Sequence, residues 1–213
     1  MRFGVDEAGK GPVFGSMWAA AVVVPRAGIL PDGVDDSKRL TPERREGLAA
    51  AIREDDRARV GVAEITPARI DDPATDMNSL TVAAQAEALD DAAVDAARGV
   101  VDAGDTDAAR FGRRVADAAT GDLHVVPAHR ADESDSVVAA ASIVAKVERD
   151  AQMAALADEY GAVGSGYPSD GTTREFLADY VAETGELPPF ARESWSTCAD
   201  ALAAAEQAGL DEF

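Results

Sequence analysis

Asp6-Glu7, Asp102 and Asp132 are the residues whose placement could carry chemistry. With 40 Asp and Glu in 213 residues a single acid means little, so the informative ones close or adjoin segments that are otherwise apolar. Asp6-Glu7 end the apolar opening segment, Asp102 follows Val100-Val101, and Asp132 lies between a short apolar segment and a long helical one. Carboxylates delivered from strand ends can converge in one crevice of an open α/β sheet. In a partly dry site such a cluster does not stay ionised without cations. Oxygen donors without a Cys/His cluster select a hard ion, Mg²⁺ or Mn²⁺, which keeps waters and binds through a few carboxylates plus phosphate. Taken alone, Asp132 reads as the cap of the following helix. Asp6 and Glu7 are adjacent, and strand alternation sends neighbours to opposite faces, so either the strand ends between them or one ligates through water.

The segment Gly9-Lys10-Gly11-Pro12 lacks the spacing of a nucleotide-phosphate loop; its glycines offer close backbone approach to a ligand instead. Around these residues the pattern predicts strands at 1–5, 15–24, 59–65, 99–102 and 123–127. Helices are expected at 41–53, 78–97, 106–119, 134–160, 172–183 and 191–208, with a short one starting at Thr66-Pro67. Thr41-Pro42-Glu43 supplies a capping hydroxyl, Pro at the first helical position and an acid in the first turn. Strands interleaved with helices imply a mixed five-stranded α/β sheet flanked by helices, followed by an all-helical tail.

The formal charge of −20 and the presence of only three lysines, Lys10, Lys38 and Lys146, suggest a surface that stays hydrated in concentrated salt. A 46% hydrophobic fraction is enough to fold, with roughly 70% of the surface buried for this length. The sequence has no apolar run long enough to span a membrane and no signal-peptide core near Met1, so a cytoplasmic protein is expected. One cysteine, Cys198, excludes an internal disulfide. At face value the charge argues against a polyanionic partner.

Five ordered motifs qualify that objection. Asp6-Glu7-Ala8-Gly9-Lys10-Gly11-Pro12, Asp36-Ser37-Lys38-Arg39-Leu40, His129-Arg130-Ala131-Asp132, the stretch from Ala141 to Asp150, and Gly164-Ser165-Gly166-Tyr167-Pro168-Ser169-Asp170 together resemble type 2 ribonuclease H (RNase HII), most of all its archaeal branch. The resemblance runs from Arg2 to about Thr197. It implies an RNase H-like catalytic domain over 1–160, a C-terminal helical extension over 161–206, and cleavage of RNA in RNA–DNA hybrids and at single ribonucleotides in duplex DNA. Asp6, Glu7, Asp102 and Asp132 match the family's four metal-binding acids, with Asp105 and Asp107 in the same loop as Asp102. Gly9, Lys10 and Gly11 match its Gly-Arg-Gly loop, whose backbone contacts the ribose 2′-OH, with Lys where the family has Arg. Tyr167 matches the tyrosine that stacks on the sugar at the RNA–DNA junction. Two divalent ions about 4 Å apart would activate water for in-line attack, incising 5′ of the ribonucleotide and leaving 5′-phosphate and 3′-OH ends.

All three lysines fall inside these motifs. Ser37, Lys38 and Lys146 are expected to contact substrate, while a solvated position is expected for Arg149. The last seven residues place Gln207, Leu210 and Phe213 in the spacing that docks replication proteins on the sliding clamp, PCNA, through a 3₁₀ turn. Two other readings stay open, a nuclease of the same fold cutting structured DNA and a non-catalytic clamp-associated module. The default oligomeric state is a monomer.

Overall fold

The computed structural model describes residues 1–34 and 40–211, with side chains through residue 208. Five strands, β1 (Arg2–Ala8), β2 (Met17–Val24), β3 (Arg59–Ile65), β4 (Ala97–Asp102) and β5 (Leu123–Ala128), form one mixed sheet in the order β3-β2-β1-β4-β5. β1 runs antiparallel to β2 and parallel to β4, and β4 runs parallel to β5. The helices are α1 (Pro42–Glu54), α2 (Pro67–Ile70), α3 (Met77–Asp91), α4 (Ala108–Ala118), α5 (Ser136–Tyr160), α6 (Gly171–Thr184) and α7 (Ser196–Asp211). The expected mixed sheet and helical C-terminal region are both present.

The chain groups into two units. The first comprises Met1–Ala8, Met17–Glu64 and Asp76–Glu148 and carries the sheet. Its core follows from the Ala/Val run of β2, where every residue from Ala19 to Val24 is fully buried, as a strand covered on both faces requires. Ala20, Val22 and Val24 pack with Leu48, Ala49 and Ile52 of α1 and with Val137 to Ala145 of α5. Gly4 sets how closely α5 approaches β1: a Cβ there would lie 2.3 Å from the Val137 carbonyl carbon. The backbone of α5 thus lies directly on the strand that carries Asp6-Glu7.

The second unit comprises Gly9–Ser16, Ile65–Thr75 and Arg149–Phe213. Its core is aromatic, with Phe14 edge-on to Phe176 and Phe190 at 5.7 and 5.2 Å, and Tyr160 edge-on to Phe190 at 4.9 Å. Cys198 is a free thiol inside it.

Several boundaries differ from expectation for identifiable reasons. β1 runs on through Ala8, so Asp6 and Glu7 both lie within the strand. The helix expected over 78–97 stops at Asp91, and β4 begins at Ala97. Ala93 and Ala96 make the turn at φ 49° and 46°, a left-handed conformation that alanine rarely adopts, so no glycine or proline marks the break. Thr41 does cap α1, accepting from the Arg44 N–H at 3.3 Å. No helix among the described residues is long and apolar enough to cross a membrane.

Candidate active site

Register brings the first acids together. β1 and β4 pair in parallel up to Val5 opposite Val101, so the next residue on each strand is an acid, Asp6 and Asp102. Both sit at the C-terminal ends of neighbouring parallel strands, where open α/β sheets form their sites. Asp6 is buried, at 6% exposure. Desolvation first, then the Glu7 and Asp102 carboxylates, push its carboxyl well above the ordinary carboxylate range, against the opposing pull of a Ser142 hydroxyl hydrogen bond.

Asp102 also fixes the fourth acid. Its Oδ1 accepts the Ala131 N–H at 2.6 Å, at the start of a single 3₁₀ turn, Ala131–Glu133, in which Asp132 is buried. Arg130 enters that turn in the left-handed conformation. The capping role that Asp132 alone suggested belongs to Asp135, whose Oδ1 accepts the Val137 and Val138 N–H groups. Asp105 and Asp107 have other tasks. Arg110 donates to Asp105 at 2.5 Å and holds its carboxyl down at about 2, while Asp107 caps α4 through the Arg110 N–H.

Gln85 was not anticipated. It is fully buried in α3, and its Nε2 donates both to Glu7 Oε2 at 2.7 Å and to the Asp102 carbonyl at 2.9 Å. One amide group therefore links two of the acid-bearing strand ends. Its Oε1 has no hydrogen-bond partner among the described residues, an arrangement that ordinarily costs about 1–3 kcal/mol. The signal available in sequence is a polar residue on the buried face of an alanine-rich helix, in step with the buried Thr81, Ala88 and Leu89.

Among the described residues no three His, Cys, Asp or Glu side chains come together as a group that could hold a metal ion. The donor set is nevertheless oxygen-rich, and ionisation of Asp6 is resisted by two neighbouring carboxylates, a state that a cation relieves. A hard ion that keeps several waters and shares its ligands with a substrate phosphate suits an open group of this kind.

In the second unit, Gly9, Lys10, Gly11 and Tyr167 are brought together: a Cβ at Gly11 would lie 3.8 Å from Tyr167 Cε1. Tyr167 is 39% exposed, one of two large hydrophobic side chains so exposed among the described residues. Arg149 is not solvated as expected. It is 5% exposed, donates to the Ser165 carbonyl and lies over the Tyr167 ring, 5.0 Å from its centroid. Lys146 is half-buried on α5. Ser37 and Lys38 lie outside the described residues. So do the side chains of Leu210 and Phe213, while Gln207 is exposed on α7, which continues as an α-helix to Asp211 where a 3₁₀ turn was expected.

A Ribonuclease HII from Haloarcula marismortui is 66% identical over 213 residues, covering the whole of both chains. The ribonuclease H2 structure from Pyrococcus horikoshii superposes with a TM-score of 0.89 at 36% identity, covering 97% of this chain and 99% of that one. The structure of a PCNA:RNase HII complex from Archaeoglobus fulgidus matches at TM-score 0.84 and 37% identity, over 94% of this chain and 96% of that one. The Ribonuclease HII family model matches residues 3–198, and with the full-length relatives this shows that the chain belongs to the Ribonuclease HII family.

Proposed function

We propose that this chain hydrolyses the RNA strand of RNA–DNA hybrids and incises duplex DNA 5′ of embedded ribonucleotides, leaving 5′-phosphate and 3′-OH ends. The observation that carries the reading is the buried Asp6, one residue beyond the last β1–β4 pair, acted on by the Glu7 and Asp102 carboxylates, while Asp102 also accepts the N–H of Ala131 beside Asp132. These four acids would hold Mg²⁺ or Mn²⁺. Bound divalent ions supply Lewis acidity, easing deprotonation of water and neutralising charge on the leaving oxygen.

The protein's own part is positioning. Burial first, then the Glu7 and Asp102 carboxylates, raise the Asp6 pKa, and a bound cation would oppose that shift. Gln85 holds Glu7 and the Asp102 backbone in fixed relation, and Asp102 fixes the turn bearing Asp132. The Gly9-Lys10-Gly11 backbone reads the 2′-OH, the group that distinguishes RNA from DNA, beside the exposed Tyr167 platform. Lys146, with Ser37 and Lys38, contacts phosphate. The exposed Gln207, with Leu210 and Phe213, engages a sliding clamp, as the PCNA-bound relative suggests.

The direct test is cleavage of a DNA duplex containing one ribonucleotide, in Mg²⁺ and in Mn²⁺. Wild type is expected to cut 5′ of the ribonucleotide, and Asp6→Asn to lose about 10³-fold, equivalent to about 4 kcal/mol. Equal cleavage of all-DNA duplex would instead favour a structure-directed DNA nuclease. Gln85→Leu is expected to weaken Mn²⁺ binding about tenfold in the substrate-free protein, read as a shift in the Mn²⁺ dependence of thermal unfolding. An unchanged Mn²⁺ dependence would remove Gln85 from the site. Deleting residues 210–213 should abolish binding to PCNA while leaving cleavage intact; retained binding would refute the tail assignment.

A further inference from the structure

Arg192 heads the largest side chains that are fully buried, and its guanidinium is directed at backbone carbonyls. Nη2 donates to Gly9 O at 2.5 Å, Nη1 to Lys10 O at 2.9 Å and Nε to Gly15 O at 2.9 Å. Its own backbone N–H donates to Val13 O at 2.8 Å, and the preceding Ala191 bridges to Phe14, so the side chain is anchored to the loop it holds. Trp195 continues the series. Its Nε1 donates to Gly11 O at 3.4 Å, and Arg192 lies over its ring at 5.1 Å. Three consecutive carbonyls, those of Gly9, Lys10 and Gly11, are therefore drawn toward two side chains three residues apart in sequence.

That arrangement has a stereochemical consequence. In a trans peptide the C=O and the next N–H point in opposite directions. Turning the Gly9 and Lys10 carbonyls toward Arg192 turns the Lys10 and Gly11 N–H groups to the opposite side of the loop. Gly9, at φ +88°, permits the backbone course this requires. The Tyr167 ring lies beside Gly11, where a Cβ would be 3.8 Å from Tyr167 Cε1. A buried guanidinium is an expensive way to satisfy carbonyls. Burial and the nearby Arg149 charge bring its pKa down to about 10, which still leaves it cationic at neutral pH.

We infer that Arg192, assisted by Trp195, is the positioning residue that fixes the peptide orientation of Gly9–Gly11 and through it sets the preference for a 2′-hydroxyl over a 2′-hydrogen. The inference rests on the proposed reading of Gly9–Gly11 as the ribose-contacting loop. Arg192 touches no substrate in this scheme; it acts through three carbonyls that a lysine cannot hold in the same fork geometry.

The test is equilibrium binding, by fluorescence anisotropy with Ca²⁺ in place of Mg²⁺, of a DNA duplex containing one ribonucleotide and of the same duplex all in DNA. Wild type is expected to prefer the ribonucleotide duplex. Arg192→Lys is expected to reduce that preference about tenfold by raising Kd for the ribonucleotide duplex alone. Trp195→Phe, which keeps the ring and removes one donor, should give a smaller loss in the same direction, and it carries the test if Arg192→Lys does not fold. Wild-type preference retained in the folded variants would overturn the inference. Absence of preference in wild type would overturn the reading of the loop on which it stands.

Discussion

Repulsion among carboxylates held at adjacent strand ends is the constraint on which the first unit depends. β1 and β4 are parallel neighbours, and Asp6 and Asp102 each follow their last paired residues, Val5 and Val101. A fold would ordinarily avoid this, since burial and two like charges all favour the neutral form of Asp6. The surrounding residues moderate the conflict and do not remove it. Ser142 supplies a hydroxyl to Asp6, Gln85 supplies both amide protons to Glu7 and the Asp102 carbonyl, and the Ala131 N–H satisfies Asp102. Each of these supports sits on an element packed into the sheet core. Gly4, which lets the α5 backbone reach β1, is therefore linked to the chemistry as well as to packing.

The second unit solves the opposite problem. There two buried cations, Arg149 and Arg192, lie against carbonyls and aromatic faces, and burial first, then the Arg149 charge, lower the Arg192 pKa. In a chain of net charge −20 these are cations withheld from the surface. The outer acidity suits concentrated salt, where counterion release contributes little to nucleic-acid binding and close directional contacts must carry more of it. Relatives from halophilic archaea, among them Haloarcula marismortui, fit that interpretation.

Much of this was legible in the sequence, for particular reasons. Asp6, Glu7 and Asp102 stood out because acids on apolar strands have an unfavourable location, and the α1 cap because Thr-Pro-Glu leaves little else to form. Other features carried no local signal. The end of α3 is made by alanines in a left-handed turn, against their own preference. Gln85 is one polar residue in an alanine-rich helix, and its partners are 78 and 17 positions away. Arg149 and Arg192 resemble any exposed arginine until the fold places carbonyls around them. Periodicity reports which face is buried; it does not report what a buried polar group will meet.

The central claim is that Asp102, whose charge acts on Asp6 just beyond the last β1–β4 pair, belongs to a cation-binding group, whereas Asp105 three residues later serves Arg110. Calorimetric titration of Mn²⁺ into the substrate-free protein distinguishes them most directly. Asp102→Asn is predicted to abolish measurable binding, and Asp105→Asn to leave it within about twofold of wild type. Loss of binding in Asp105→Asn with retention in Asp102→Asn would contradict the account.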